Sequence, residues 1–197
     1  MIYVSIDIET TGLDRENDQV LEVGAIIEDT DKQLDFKEIP KYKAIINHDR
    51  ISGSNYAINL NARIFEILAN IPRINKMDYM IEHNIINPED LGLSFFTFLI
   101  SNGYTQEPSN GDVRIITAGK NFSSFDKPFL ENIPNFSDYI SMGHRSIDPA
   151  NFFIDFETDT ELPSLDTCMK IAGVEGKVTH NALIDAWDVV RVLRTTY

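Results

Sequence analysis

Val4-Ser5-Ile6-Asp7-Ile8-Glu9-Thr10-Thr11-Gly12 reads as a buried strand that runs into a turn. Ile2, Tyr3, Val4, Ile6 and Ile8 are β-branched or aromatic, the types that suit a pleated, packed surface. Asp7 and Glu9 stand two positions apart, so on a strand both side chains leave from the same face. Two like charges at the end of an apolar strand repel, and each loses hydration. A cation is therefore expected nearby. Thr-Thr-Gly puts the pair at the strand's carboxyl end, where open α/β sheets place their ligands. An edge strand that shows two acids to solvent is the simpler alternative, but isoleucine on both sides of Asp7 disfavours it. A metal site is the sharper reading, and it needs further carboxylates from elsewhere in the chain.

The chain has 197 residues, 43% of them hydrophobic and 24% charged, which suits one domain around a single sheet. Apolar clusters such as Phe95-Phe96-Thr97-Phe98-Leu99-Ile100 are too short to span a bilayer. No basic-then-apolar leader precedes the first strand, so no secretion signal is expected. Cys168 has no cysteine partner within the chain, and a reducing, cytoplasmic setting is the expectation. The net charge of −14 argues against broad surface attraction for nucleic acid. Two bound divalent cations would offset four of those charges and still leave an acidic protein.

Outward from the first strand, Gln19 to Ile27 reads as a second strand and Ala44-Ile45-Ile46 as a third. Three strands in succession predict an antiparallel meander before the first helix. Asn59 or Asn61 would cap a helix through Ile64, Phe65 and Leu68 that stops near Pro72. Asn87-Pro88-Glu89-Asp90 opens a cleaner helix, with Leu91, Phe95, Phe98 and Leu99 at helical spacing and Gly103 as its stop. Tyr104 to Asp112 reads as a loop. Arg114 to Gly119 is a short strand, and Phe122, Phe125 and Phe129 after it fit one helical stripe with Asp126 at its edge. Ser123-x-x-Asp126 fits a capping box, and by itself that favours a cap over any chemistry. Arg145 to Ile147 is another strand, with Asp148 a turn residue before Pro149. A short helix is expected over Pro163–Ile171.

The last helix follows Asn181, a good cap, which leaves His180 on the entry loop. Ala182, Ala186, Val189 and Leu193 line one face, and Asp185 lies beside them. A charge on a packing stripe must be paired or metal-bound if it is buried. Simple dipole stabilisation at the surface is the plainer alternative for Asp185, and the expected state of Asp188.

Taken in order, Asp7-Ile8-Glu9-Thr10-Thr11-Gly12, then Asn121-x-x-x-x-Asp126, then His180-Asn181-Ala182-Leu183-Ile184-Asp185-Ala186 resembles the DEDDh exonuclease family. The resemblance covers nearly the whole chain, although its specific matches are short. It implies an α/β, RNase H-like fold with a mixed central five-stranded sheet, three antiparallel strands then parallel ones, flanked by helices. It implies one exonuclease domain over residues 1–197, with about 50–111 as a less recognisable helical and loop insertion. Asp7, Glu9, Asp126 and Asp185 would hold two Mg²⁺ or Mn²⁺ ions, and His180 would be the general base. Thr10, Thr11, Gly12 and Leu13 would wrap the terminal nucleotide, and Asn121 and Phe125 also match motif positions. Hard carboxylate oxygens suit Mg²⁺ or Mn²⁺ better than zinc. A histidine with an ordinary pKa near ~6.5 can take a proton from water near neutral pH. The implied activity is removal of nucleoside 5′-monophosphates from the 3′ ends of single-stranded or short DNA or RNA. A membrane is not an implied partner; a second copy of the chain or a basic protein could supply further grip. The alternative from another class is a non-catalytic RNase H-like adaptor, which has no physical need for costly clustered acids.

Overall fold

The computed structural model describes residues 1–197. Strands β1 (Ile2–Thr10), β2 (Val20–Asp29) and β3 (Lys41–Ile46) form the expected antiparallel meander. Then come helices α1 (Asn55–Leu60), α2 (Ala62–Ala69) and α3 (Lys76–Glu82), the short strand β4 (Ile85–Ile86), and α4 (Leu91–Ser101). The second half runs β5 (Val113–Ala118), α5 (Asp126–Glu131), α6 (Phe136–Tyr139), β6 (Ile140–Ile147), α7 (Ala150–Phe153), α8 (Leu165–Ile171) and α9 (Ala182–Arg194). Spatial order in the sheet is β4-β3-β2-β1-β5-β6, with β5 parallel to β1 and β6 parallel to β5. The five anticipated strands are all present. The sixth, β4, pairs two residues parallel to β3, too short a run to carry a strand pattern in sequence.

Period-two alternation divides β1 between two layers. Val4, Ile6 and Ile8 join a core with Phe95, Leu99, Phe122, Phe129 and Phe136. Tyr3, on the other face, packs in the layer that holds Ala186, Val189, Val190 and Leu193 of α9. Ser5, Asp7 and Glu9 share that second face, and the Ser5 hydroxyl donates to the Ala186 carbonyl at 2.8 Å. Burial on both faces explains why β1 and β2 read as near-continuous apolar runs. The β1–β2 register pairs Asp7 with Gly24 and Glu9 with Glu22, then shifts between Glu9 and Thr10. The shift leaves Leu21 as an extra residue on β2, and pairing resumes with Thr10 and Val20. No helix is long and apolar enough to cross a membrane.

Several local expectations change. The expected helix through Ile64, Phe65 and Leu68 is α2, and Asn61 stands at its N-cap position, but the Asn61 side-chain amide donates to the carbonyls of Thr10 and Ala57, both at 3.1 Å, and makes no capping bond. Ser54 caps α1 instead, accepting from the Ala57 amide at 3.1 Å. Helix α3 was not anticipated: none of its residues is fully buried, and only Tyr79 and Met80 pack against a core. The helix after Asn87 opens with a 3-10 turn over Pro88–Asp90. It closes at Gly103 (φ 92°), with the Tyr104 amide on the Leu99 carbonyl and the Gly103 amide on that of Ile100. Residues 120–125 form turns, not helix, and Asn121 adopts φ 59°. Phe122 and Phe129 still reach the same core, because their side chains converge from a turn and a helix. Asp188 is not a surface acid: it is 3% exposed and paired with Arg191 at 2.8 Å.

Candidate active site

Three carboxylates meet at the carboxyl end of β1. One oxygen each from Asp7, Glu9 and Asp185 lies within 4.8 Å of the other two. Asp7 and Glu9 arrive by strand periodicity, and Asp185 from the first turn of α9, which packs on that face of the sheet. Asp126 comes from the first residue of α5, and its Oδ1 accepts the Ile8 amide at 3.1 Å. It is 2% exposed, and Ile8, whose amide it accepts, lies between Asp7 and Glu9 in the strand. Ser123, its supposed capping partner, instead shares a hydrogen bond with Ser146 at 2.8 Å. A local pattern that suited a cap was thus overridden by a contact 118 residues away.

Asp185 does a second job. Its Oδ1 accepts from the Thr179 amide at 2.9 Å and the Thr179 hydroxyl at 3.2 Å, while its Oδ2 accepts the His180 amide at 3.0 Å. These bonds hold the loop before α9 and fix His180 at φ 53°, with the residue exposed at the cleft's rim. Asn181 caps α9 as expected, its Oδ1 accepting from the Ile184 amide at 3.4 Å.

Crowding of acids has a clear electrostatic signature. Burial, then the charges of Asp126, Asp185, Glu9 and Glu22, push the Asp7 carboxyl well above the usual carboxylate range. Glu9 is pushed up to about 8, chiefly by burial and then by Asp185 and Glu22, with Arg63 pulling the other way. Asp126 is also pushed up to about 8 by burial, although backbone amides including that of Ile8 hold it down. The cations anticipated beside Asp7 and Glu9 bind the neighbouring Glu22 instead: Arg63 at 2.7 Å and Lys43 at 3.1 Å. Glu22 was the overlooked residue, and a lone Glu inside Val20-Leu21-Glu22-Val23-Gly24 was the available signal. An all-oxygen donor set of partly uncompensated carboxylates fits a hard divalent cation.

A cleft of about 490 Å³ opens over the acids. Asp7, Glu9, Thr10, Gly12, Leu13, Phe125, His180 and Asp185 line it. Leu13 is 85% exposed, and a Cβ on Gly12 would meet the half-buried Asp18 carboxylate, which would have to swing aside. Thr11 and Asn121 do not line this cleft. Thr11 is wholly buried and locks the turn, its amide donating to the Gln19 carbonyl and its Oγ1 accepting the Gln19 amide. Asn121 accepts from Lys120 through Oδ1 and donates its backbone amide to Asp148. Tyr56, Leu60 and Asn61 do line the cleft and were missed, since α1 carries no motif. A second cleft of about 370 Å³, between Ile2, Leu34, Tyr104 and Arg114, lies at the opposite end of β1 and has no such acid cluster.

Comparison with known proteins agrees with this geometry. No curated protein matches the sequence closely. Among solved structures, E. coli Exonuclease I in complex with a dT13 oligonucleotide superposes with a TM-score of 0.60 at 17% sequence identity. The likeness covers 98% of this chain but 40% of that one, so this chain spans about two fifths of its length. At that identity the likeness speaks for the fold, which is the RNase H-like exonuclease fold. The sequence matches the Exonuclease (RNase T) family over residues 4–102, which takes in Asp7, Glu9 and most of the segment from Arg50. With half the chain matched, and with the fold and the acid cluster in agreement, this chain belongs to the RNase T exonuclease family of nucleases.

Proposed function

We propose that the chain is a divalent-metal-dependent 3′-5′ exonuclease that shortens single-stranded or short nucleic acids and releases nucleoside 5′-monophosphates. The observation that carries this reading is the convergence of Asp7, Glu9 and Asp185 in a cleft with His180 at its rim. Asp7, Glu9 and Asp185, with Asp126 behind them, would hold two Mg²⁺ or Mn²⁺ ions. When bound, such ions supply charge neutralisation at the scissile phosphate and lower the pKa of a water. His180 would serve as the general base that takes a proton from the attacking water, and its exposed loop position gives the imidazole room to approach from solvent. Thr10, Gly12 and Leu13 present the turn that meets the terminal nucleotide. Leu13, Tyr56 and Phe125 give its bases apolar faces, and stacking of this kind is worth ~1–3 kcal/mol per base for aromatic partners. The oligonucleotide bound by Exonuclease I supports a single-stranded substrate.

The test uses 5′-labelled DNA and RNA oligonucleotides, each with Mg²⁺ and with Mn²⁺. A ladder shortened stepwise from the 3′ end, abolished in Asp7→Asn, is the expected result. Tight strand binding without cleavage under all these conditions would favour the adaptor reading instead.

A further inference from the structure

We propose that Glu22, held by Arg63, is a positioning residue that sets the start of α9 and thereby the place of Asp185 in the acid cluster. The inference rests on the reading of Asp7, Glu9 and Asp185 as a metal-holding set. Glu22 lies in the central strand β2, directly across from Glu9, and its side chain is completely buried. Its Oε2 accepts the Ala182 amide at 3.1 Å and Arg63 Nη2 at 2.7 Å, and its Oε1 faces Lys43 Nζ at 3.1 Å.

Ala182 is the first residue of α9, and its amide has no intrahelical acceptor. Asn181 satisfies the Ile184 amide from within the helix; Glu22 satisfies that of Ala182 from the sheet. Gly24, on the same face of β2, admits the helix backbone so closely that a Cβ would lie 2.2 Å from Leu183 N. Ser5 ties the next turn through the Ala186 carbonyl. Asp185 stands between these ties, so its carboxylate is placed by the sheet rather than by the loop it holds. A buried carboxylate with a purely structural role is costly unless paired. Here Arg63 supplies the pair from α2, which gives the segment after Arg50 a physical link to the acid cluster.

Glu22→Ala and Glu22→Gln separate position from charge. Glutamine loses the charge but keeps an oxygen for the Ala182 amide; alanine loses both. Mn²⁺ affinity, measured by calorimetry on the full chain, should fall roughly 10-fold or more in Glu22→Ala. It should stay within roughly three-fold of wild type in Glu22→Gln. Thermal melting establishes that each variant is folded at the titration temperature. If Glu22→Ala does not fold, Glu22→Asp carries the same test, since it keeps the charge but draws the carboxylate back from the Ala182 amide, and unchanged Mn²⁺ affinity there overturns the proposal. Unchanged Mn²⁺ affinity in the folded alanine variant overturns the proposal, as does an equal loss in Glu22→Gln, which would make the effect one of charge alone. The readout needs no turnover, so a wild-type chain that binds Mn²⁺ but cuts nothing defeats the nuclease reading without deciding this one. A wild-type chain that binds no Mn²⁺ overturns both.

Discussion

Glu9 and Asp126 carry the plainest consequence of crowding acids at the end of β1. Both titrate at about 8 in the folded protein, against ~4 for an unfolded carboxyl. The folded state therefore holds their protons more tightly than the unfolded state does. Their contribution to stability is fully present below pH ~4 and is lost as pH rises to about 8. A divalent cation reverses the balance, because it displaces those protons and neutralises the charges left behind. The rise in Tm produced by saturating Mg²⁺ should accordingly be larger at pH 8.5 than at pH 6. Melting curves with and without metal at the two values check this, and a larger rise at pH 6 would count against it. His180 gives a second residue-scale prediction. Its amide bonds Asp185, but its ring makes no bond that holds the loop. His180→Asn keeps the amide and tolerates φ 53°. Turnover should fall ~10²–10⁴-fold while Mn²⁺ affinity stays near wild type. Loss of metal binding with turnover intact would show the ring to be a ligand.

At the scale of elements, the active geometry is a matter of how α9 is seated on β1 and β2. Strand periodicity alone brings Asp7 and Glu9 together, but Asp185 joins them only if the helix starts at one place on the sheet. Gly24 is the tightest point of that seat, and the atoms a Cβ would meet are backbone, which cannot swing aside. Gly24→Ala should cost ~1–3 kcal/mol of stability, as overpacking usually does. Chemical denaturation measures the loss, and Mn²⁺ titration should show weaker binding in the protein that remains folded. A variant as stable as wild type with unchanged Mn²⁺ affinity would mean that the helix start tolerates displacement. Element boundaries also show where local rules give way. Asn61 and the Ser123–Asp126 pair both have capping patterns, yet each spends its polar atoms on a distant partner.

For the whole molecule, the charge of −14 sets how substrate can be gripped. Seventeen Lys and Arg face 31 Asp and Glu, and several of the cations are already committed inside the fold. Lys43 and Arg63 serve Glu22, Arg191 serves Asp188 and Arg194 makes a two-pronged contact with Glu28. Those left to follow a phosphate backbone are far outnumbered by the acids, so log-log salt dependence should be shallow. Digestion should be distributive and favour short or single-stranded 3′ ends. Rates on a short strand, a long strand and a blunt duplex across a salt series test this. Processive digestion of long duplex that collapses with salt would reveal a basic track on the isolated chain.

The sequence by itself determined the meander, the strand-end placement of Asp7 and Glu9, the cap of α9 and the place of His180 on its entry loop. All of these follow from short-range rules: period-two alternation, cap chemistry and the turn propensity of Thr-Thr-Gly. Tertiary structure alone decided where the other charges went. Asp126 is a cap in sequence and a β1 contact in space, and Asp188 is a surface acid in sequence and a buried one in space. Glu22 looks like an interruption of a strand until Arg63, Lys43 and the Ala182 amide close around it. The physical reason is that a buried charge must find compensation, and the partner that provides it can lie anywhere along the chain.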